Sequence, residues 1–198
     1  LRNAIAAKVP PATVAEQSRA LAAALLAAYP VPLAPSSPPD LTRATALYAQ
    51  NCAACHGASG NGHGPNAAKL DPPPIAFTDK ARADQRSLFG LYQVISQGLD
   101  GTAMQSFEAL PDADRWALAF YVGGFAYDDA ARNRGEILWR EDPKLHQALP
   151  TLAALSGSSE AELGQTLAAA QAKAITAYLR ARPAEVVPHA AVGAGPFA

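Results

Sequence analysis

The chain has 198 residues, of which 49% are apolar and 17% charged, and its formal net charge is −1. With Lys and Arg scattered through so balanced a chain, a nucleic-acid surface and a polybasic membrane anchor are both excluded. No run of eighteen apolar residues occurs, so no stretch of this sequence reads as a membrane-spanning helix.

The apolar share is dominated by alanine, the best helix former and a poor filler of volume, which favours closely packed helices over sheets. Residues 1–29 read as an N-terminal helical segment. Thr13 stands as its cap behind Pro10-Pro11, Glu16 follows three residues on, and Val14, Leu21, Leu25 and Tyr29 are expected to form one buried stripe. The apolar window Ala20–Tyr29 lies behind Lys8, Glu16 and Arg19, a poor match to a signal peptide. The chain opens on Leu rather than Met, so residues are expected to have been removed from its front. Residues 30–39 hold five prolines and read as an extended, semi-rigid linker.

A second block, 40–127, contains helices predicted over Leu41–Asn51 with Asp40 as N-cap, over Asp84–Gln97 stopped by Gly98, and over Asp112–Val122 stopped by Gly123-Gly124. The loops between them exceed ordinary connection lengths, so something besides side-chain packing is expected to order them. A third block, 128–183, is again helical, with one helix over Ala130–Trp139. Another starts at Ser159, which has capping-box spacing to Glu162, and runs through Leu163, Leu167, Ala170, Ile175 and Tyr178 to Arg182-Pro183. Residues 184–198 read as a flexible tail.

Both cysteines fall in Cys52-Ala53-Ala54-Cys55-His56-Gly57. Zinc would need two further ligands, and the remaining histidines, His63, His146 and His189, have no ligand spacing. A redox dithiol is expected on a strand-to-helix turn, and no strands flank this one. A disulfide across so tight a loop would constrain little chain entropy. Covalent haem needs what is present: two thiols on one helical turn, with the next residue a ligand to iron, the use for which Cys-x-x-Cys-His is specific.

Met104 is the only methionine, 48 positions beyond His56. A lone Met is ordinarily a gap-filler in a core, but Gly101-Thr102-Ala103-Met104-Gln105-Ser106-Phe107 is a polar loop, a natural place for a sixth ligand. His63, in Gly62-His63-Gly64, is the rival and reads as a solvated surface histidine; so do His146 and His189. His/Met ligation raises the reduction potential and leaves no open position on iron, which favours outer-sphere electron transfer over oxygenase, peroxidase or gas-sensing chemistry.

The run Leu47–Gly57, the Gly64-Pro65-Asn66 turn, the Gly-Thr-x-Met loop and the helix Asp114–Val122 together resemble a small class I cytochrome c. The resemblance, over residues 40–127, implies an all-α fold with one covalent haem c and additional helices on either side. It implies thioethers at Cys52 and Cys55, a proximal His56 and a distal Met104. It also implies that the carbonyl of Pro65 accepts a hydrogen bond from His56 Nδ1, and that the first and last helices of the block cross near Tyr48 and Trp116–Phe120.

Leu70-Asp71-Pro72-Pro73-Pro74-Ile75-Ala76-Phe77-Thr78-Asp79 and Ala83–Gly98, with Tyr29–Pro35 before them, further resemble the periplasmic cytochrome region fused ahead of bacterial high-affinity iron permeases. That implies a periplasmic electron-transfer module, not itself an enzyme, that accepts electrons from ferrous iron and continues into a membrane permease in the full-length protein. The chain itself has no Arg-Glu-x-x-Glu motif, and Arg134-Gly135-Glu136 does not match it. The same chemistry would serve a cytochrome c subunit of a respiratory oxidase or dehydrogenase. A haem enzyme or gas sensor with an open site would differ in class, as would an iron-binding domain using Asp128, Asp129, Glu136, Glu141 and Asp142, which read more simply as solvated faces and caps. Thioether attachment places the chain on the outer side of the bacterial cytoplasmic membrane, with donor and acceptor proteins or ferrous iron as partners.

Overall fold

The computed structural model describes residues 1–29 and 32–186, and the chain divides into two units with the boundary between Pro32 and Leu33. The first unit contains α1 (Arg2–Ala6) and α2 (Pro11–Ala28). Helix α2 begins at Pro11, two residues before the expected Thr13 cap, and no side chain caps it. A proline at the first helical position gives up one N–H that would have had no partner, and the Thr13 N–H donates to the Pro10 carbonyl at 3.0 Å. The expected buried stripe does not form: Leu21, Leu25 and Tyr29 are 49%, 53% and 72% exposed. Within this unit the five-residue α1 offers too little surface to cover an eighteen-residue helix.

The second unit is all helical, with no strand among the described residues. Its elements are α3 (Leu41–Asn51), α4 (Ala53–His56), a 3-10 turn at Ala67–Lys69, α5 (Lys80–Asp84), α6 (Leu88–Gln97) and α7 (Asp112–Gly123). These are followed by α8 (Asp129–Glu141), α9 (Pro143–Ala148), α10 (Leu152–Gly157), α11 (Glu160–Leu163), α12 (Ala169–Ala181) and a 3-10 turn at Pro183–Val186. Helix α3 starts where Asp40 accepts from the Arg43 N–H at 3.0 Å. The helix expected over Asp84–Gln97 starts later, at Leu88. The Ser87 hydroxyl accepts from the Gly90 N–H at 3.1 Å and starts α6, while α5 is a separate turn capped by Asp79.

Helix α7 is buried on nearly every side because α3, α6 and α12 all pack on it. Tyr48 of α3 sets its ring 5.4 Å from Tyr121 and 5.2 Å from Phe125, in tilted and edge-on geometry. At the other end of this contact Arg43 makes a bidentate pair with the buried carboxylate of Asp114.

The C-terminal helices share this core rather than forming one of their own, since Trp139, Leu155, Ile175 and Leu179 belong to the same buried cluster as Tyr48 and Trp116. Helices α8 and α12 lie backbone against backbone: a Cβ on Gly135 would stand 2.0 Å from the Ala174 carbonyl oxygen. The Ser159–Glu162 capping box forms, but α11 ends at Leu163 and the helix resumes only at Ala169. Gly164 terminates the first piece, and the Thr166 hydroxyl donates back to the Leu163 carbonyl at 3.2 Å. Helices α9 and α10 were not expected; each is a six-residue turn started by a cap, Asp142 and Thr151.

In the proline-rich stretch 30–39, Pro30 and Val31 lie outside the described residues. Pro35 is buried and Ala34 packs on the core, so the latter part of the expected linker is seated on the domain. Of the expected tail, residues 184–186 lie in the last 3-10 turn with Val186 buried, and 187–198 lie outside the described residues.

Candidate haem site

The last turn of α3 runs directly into the two thiols. The Cys52 N–H donates to Tyr48, and the Cys55 and His56 N–H groups both donate to the Cys52 carbonyl, at 2.9–3.1 Å. Cys52, Cys55 and His56 thus occupy one helical turn, all half-buried, with the thiols not bonded to each other. Burial, with Cys55 adding to it, pushes the Cys52 thiol up to about 11. A redox dithiol needs the opposite shift, toward thiolate, so the pair is poorly set for exchange chemistry. Zinc fares no better: no group of three His, Cys, Asp or Glu able to hold a metal ion occurs among the described residues.

His56 is held from the side. Its Nδ1 lies 3.1 Å from the Ile75 carbonyl oxygen. A carbonyl only accepts, so the ring proton sits on Nδ1 and the lone pair of Nε2 is left for a metal. Burial lowers the imidazole below its ordinary value and so favours the neutral ring, and the bond to Ile75 offsets this only in part. The Phe77 ring stacks on the imidazole at 4.6 Å, and the Phe77 N–H is anchored to the Gly60 carbonyl at 2.6 Å.

The acceptor expected for His56, the Pro65 carbonyl, is not the one found. The Gly64–Asn66 turn is tied to the backbone of the Cys-x-x-Cys-His helix itself. The Gly64 N–H donates to Cys55 at 3.1 Å and the Asn66 N–H to Ala54 at 2.9 Å. The segment alongside the imidazole is instead 74–77. Nothing in the sequence marks Ile75, since a backbone acceptor has no side-chain signature, and Phe77 joins the site through its ring, which only the folded chain brings onto His56.

Met104 is half-buried in a loop that braces itself. The Leu99 N–H donates to the Met104 carbonyl at 2.9 Å, and the Met104 N–H donates to the Thr102 hydroxyl at 3.1 Å. Gly98 has φ +75°, and a Cβ there would lie 2.7 Å from the Met104 carbonyl oxygen, so only glycine lets the loop fold back this closely. His63, the alternative ligand, is exposed. His146 lies on α9 in the C-terminal segment, stacks on Trp139 at 3.9 Å and has its Nε2 2.8 Å from the Trp139 carbonyl. His189 lies outside the described residues.

Four of the five carboxylates considered for iron are engaged locally, Glu141 being the exception. Asp128 and Asp142 cap α8 and α9, and Asp129 and Glu136 pair with Arg132 and Arg140 at 2.7 and 2.6 Å. The residues around the cysteines fit covalent haem instead: two thiols on one turn, not bonded to each other, and beside them a histidine whose Nε2 is free.

Residues 41–125 match the family model described as Cytochrome c. The segment is an all-α cytochrome c domain, the family implies covalently bound haem c, and Cys52, Cys55 and His56 stand at the attachment spacing. No curated protein matches the chain. Among solved structures, a chain of the reducing HAO-like protein complex of Kuenenia stuttgartiensis is similar at 14% identity. The match covers 69% of this chain and 94% of that chain, with a TM-score of 0.37.

Proposed function

Starting from a cytochrome c domain over residues 41–125, we propose that this chain is a periplasmic electron-transfer module. In this reading Cys52 and Cys55 would hold the haem by thioethers, and His56 Nε2 and the Met104 sulfur would bind its iron. Bound haem c supplies a reversible one-electron couple. The residues do the rest: Ile75 fixes the His56 tautomer, Gly98 and Thr102 hold the Met104 loop, and Phe77 shields the imidazole. Two protein ligands leave no place for substrate, so the module is an electron carrier and not an enzyme. The observation that carries this reading is the His56 Nδ1–Ile75 bond, which commits Nε2 to a metal beside two unpaired thiols.

The donor we propose is ferrous iron, with the chain forming part of an iron permease system whose membrane part lies elsewhere in the full-length protein. The support is the likeness of Leu70–Asp79 and Ala83–Gly98 to the cytochrome region of such proteins. Anaerobic addition of ferrous iron to the ferric holoprotein, followed by haem absorbance, tests it. One electron should pass per iron, giving ferric iron and ferrous haem. Reduction by ascorbate but not by ferrous iron would overturn the donor assignment and leave an electron carrier serving another partner, such as a respiratory oxidase or dehydrogenase.

A further inference from the structure

Arg180, on α12, is 1% exposed and is the only buried basic side chain among the described residues. Its two terminal nitrogens donate to backbone carbonyls, Gly123 at 3.1 Å and Arg86 at 2.8 Å, while Nε is buried without a partner. The guanidinium lies 5.7 Å from the Tyr127 ring. No carboxylate reaches it within ion-pair distance among the described residues, although Glu160 and Asp84 attract it from farther off. A cation sealed in a core without a direct counter-ion is costly to hold. Packing alone would be met by a leucine or methionine.

The same side chain lines a small cavity with Ile75, Ala76 and Phe77. Ile75 accepts from His56, and Phe77 stacks on it. The C-terminal segment, outside the matched residues 41–125, therefore delivers a buried positive charge to the back of the loop that holds the proximal histidine. We infer that Arg180 is an electrostatic tuning residue that raises the reduction potential of the haem in the adjoining domain. Oxidation adds one positive charge at the iron, and a fixed cation nearby opposes it. Screening is weakest in the interior, so one charge at this depth has an effect that a surface lysine would lack. The inference rests on haem ligated by His56.

The test is a redox titration of the full-length holoprotein carrying Arg180→Met, which keeps length and apolar bulk, and Arg180→Lys, which keeps the charge. At fixed ambient potential the ferric-to-ferrous ratio of Arg180→Met should rise about threefold to tenfold, where tenfold corresponds to about 59 mV for a one-electron couple. Arg180→Lys should restore most of the wild-type ratio. A folded Arg180→Met protein with wild-type spectrum and wild-type ratio overturns the inference. Should Arg180→Met fail to fold, the double variant Asp84→Asn/Glu160→Gln decides in the opposite sense. It removes the two attracting anions and keeps both hydrogen bonds of Arg180, so the ratio should fall, and an unchanged ratio overturns the inference. A wild-type chain that retains no haem after denaturation would overturn the haem reading as well, which separates the two failures.

Discussion

His56 Nδ1 stands 3.1 Å from the carbonyl oxygen of Ile75, and that one contact determines which nitrogen of the ring can bind a metal. The contact can be disturbed without touching either residue. Gly62 has φ +79°, and a Cβ there would lie 2.9 Å from the Pro74 carbonyl oxygen and 3.3 Å from the Ile75 carbonyl carbon. Gly62→Ala should cost about 1–2 kcal/mol in thermal or denaturant unfolding, from left-handed backbone strain alone. It should also raise the haem potential, because a weaker Nδ1–H bond makes the imidazole a poorer donor to ferric iron. Loss of stability with an unmoved potential would show that the loop does not act through His56.

Two half-buried thiols on one turn predict a graded result for Cys52→Ser and Cys55→Ser. Each single variant should keep haem through one remaining thioether, and the double variant should keep none on denaturing electrophoresis. Haem that stays with the doubly substituted polypeptide would contradict attachment at this motif.

Arg43 holds the Asp114 carboxyl below its ordinary value of 3.8, chiefly through the bidentate hydrogen bond and then through its charge. A carboxyl depressed in the folded state adds stability that is fully present above its unfolded pKa and is lost as pH falls through the folded value. Asp114→Asn should therefore be less stable than wild type at pH 7. The gap between the two should close as pH is taken below about 4. Denaturant unfolding at several pH values measures this, and a gap that does not change with pH would mean the pair contributes through packing alone.

Gly135→Ala tests the contact between α8 and α12. Alanine is the better helix former by about 1 kcal/mol, so an open site would be stabilised. With the Ala174 carbonyl oxygen 2.0 Å from the new Cβ, the helices must separate instead. The expected loss is about 2–3 kcal/mol. Equal or greater stability would show that α8 and α12 do not meet there.

What could be read in the sequence was what side chains announce. Asp40 and the apolar positions of Leu41–Asn51 located α3 to the residue, and the helix before Gly123-Gly124 followed from Pro111, Asp112 and its aromatic run. The Cys-x-x-Cys-His motif marked the attachment turn, and Met104 drew notice by standing alone in a polar loop. What could not be read depends on backbone atoms or on distant neighbours. Ser87 caps α6 through a local hydroxyl bond and so moved the start of that helix from the expected Asp84 to Leu88. The exposure of Leu21 and Leu25 depends on what surrounds α2, which periodicity does not reveal. Ile75 serves through its carbonyl, so the Pro65 expectation drew on family resemblance and landed on the wrong turn. Arg180 sits in an alanine-rich helix with nothing to mark it as buried, and its acceptors are carbonyls 57 and 94 positions away.

The central claim is a closed, six-coordinate haem ligated by His56 and Met104. The ferric spectrum of wild type against Met104→Ala tests it most directly. Wild type should be low-spin and show the weak long-wavelength charge-transfer band of a sulfur ligand. Met104→Ala should lose that band, fall in potential and gain affinity for added cyanide or imidazole. A wild-type protein that is already high-spin and open to such ligands, or a Met104→Ala spectrum identical to wild type, would contradict it.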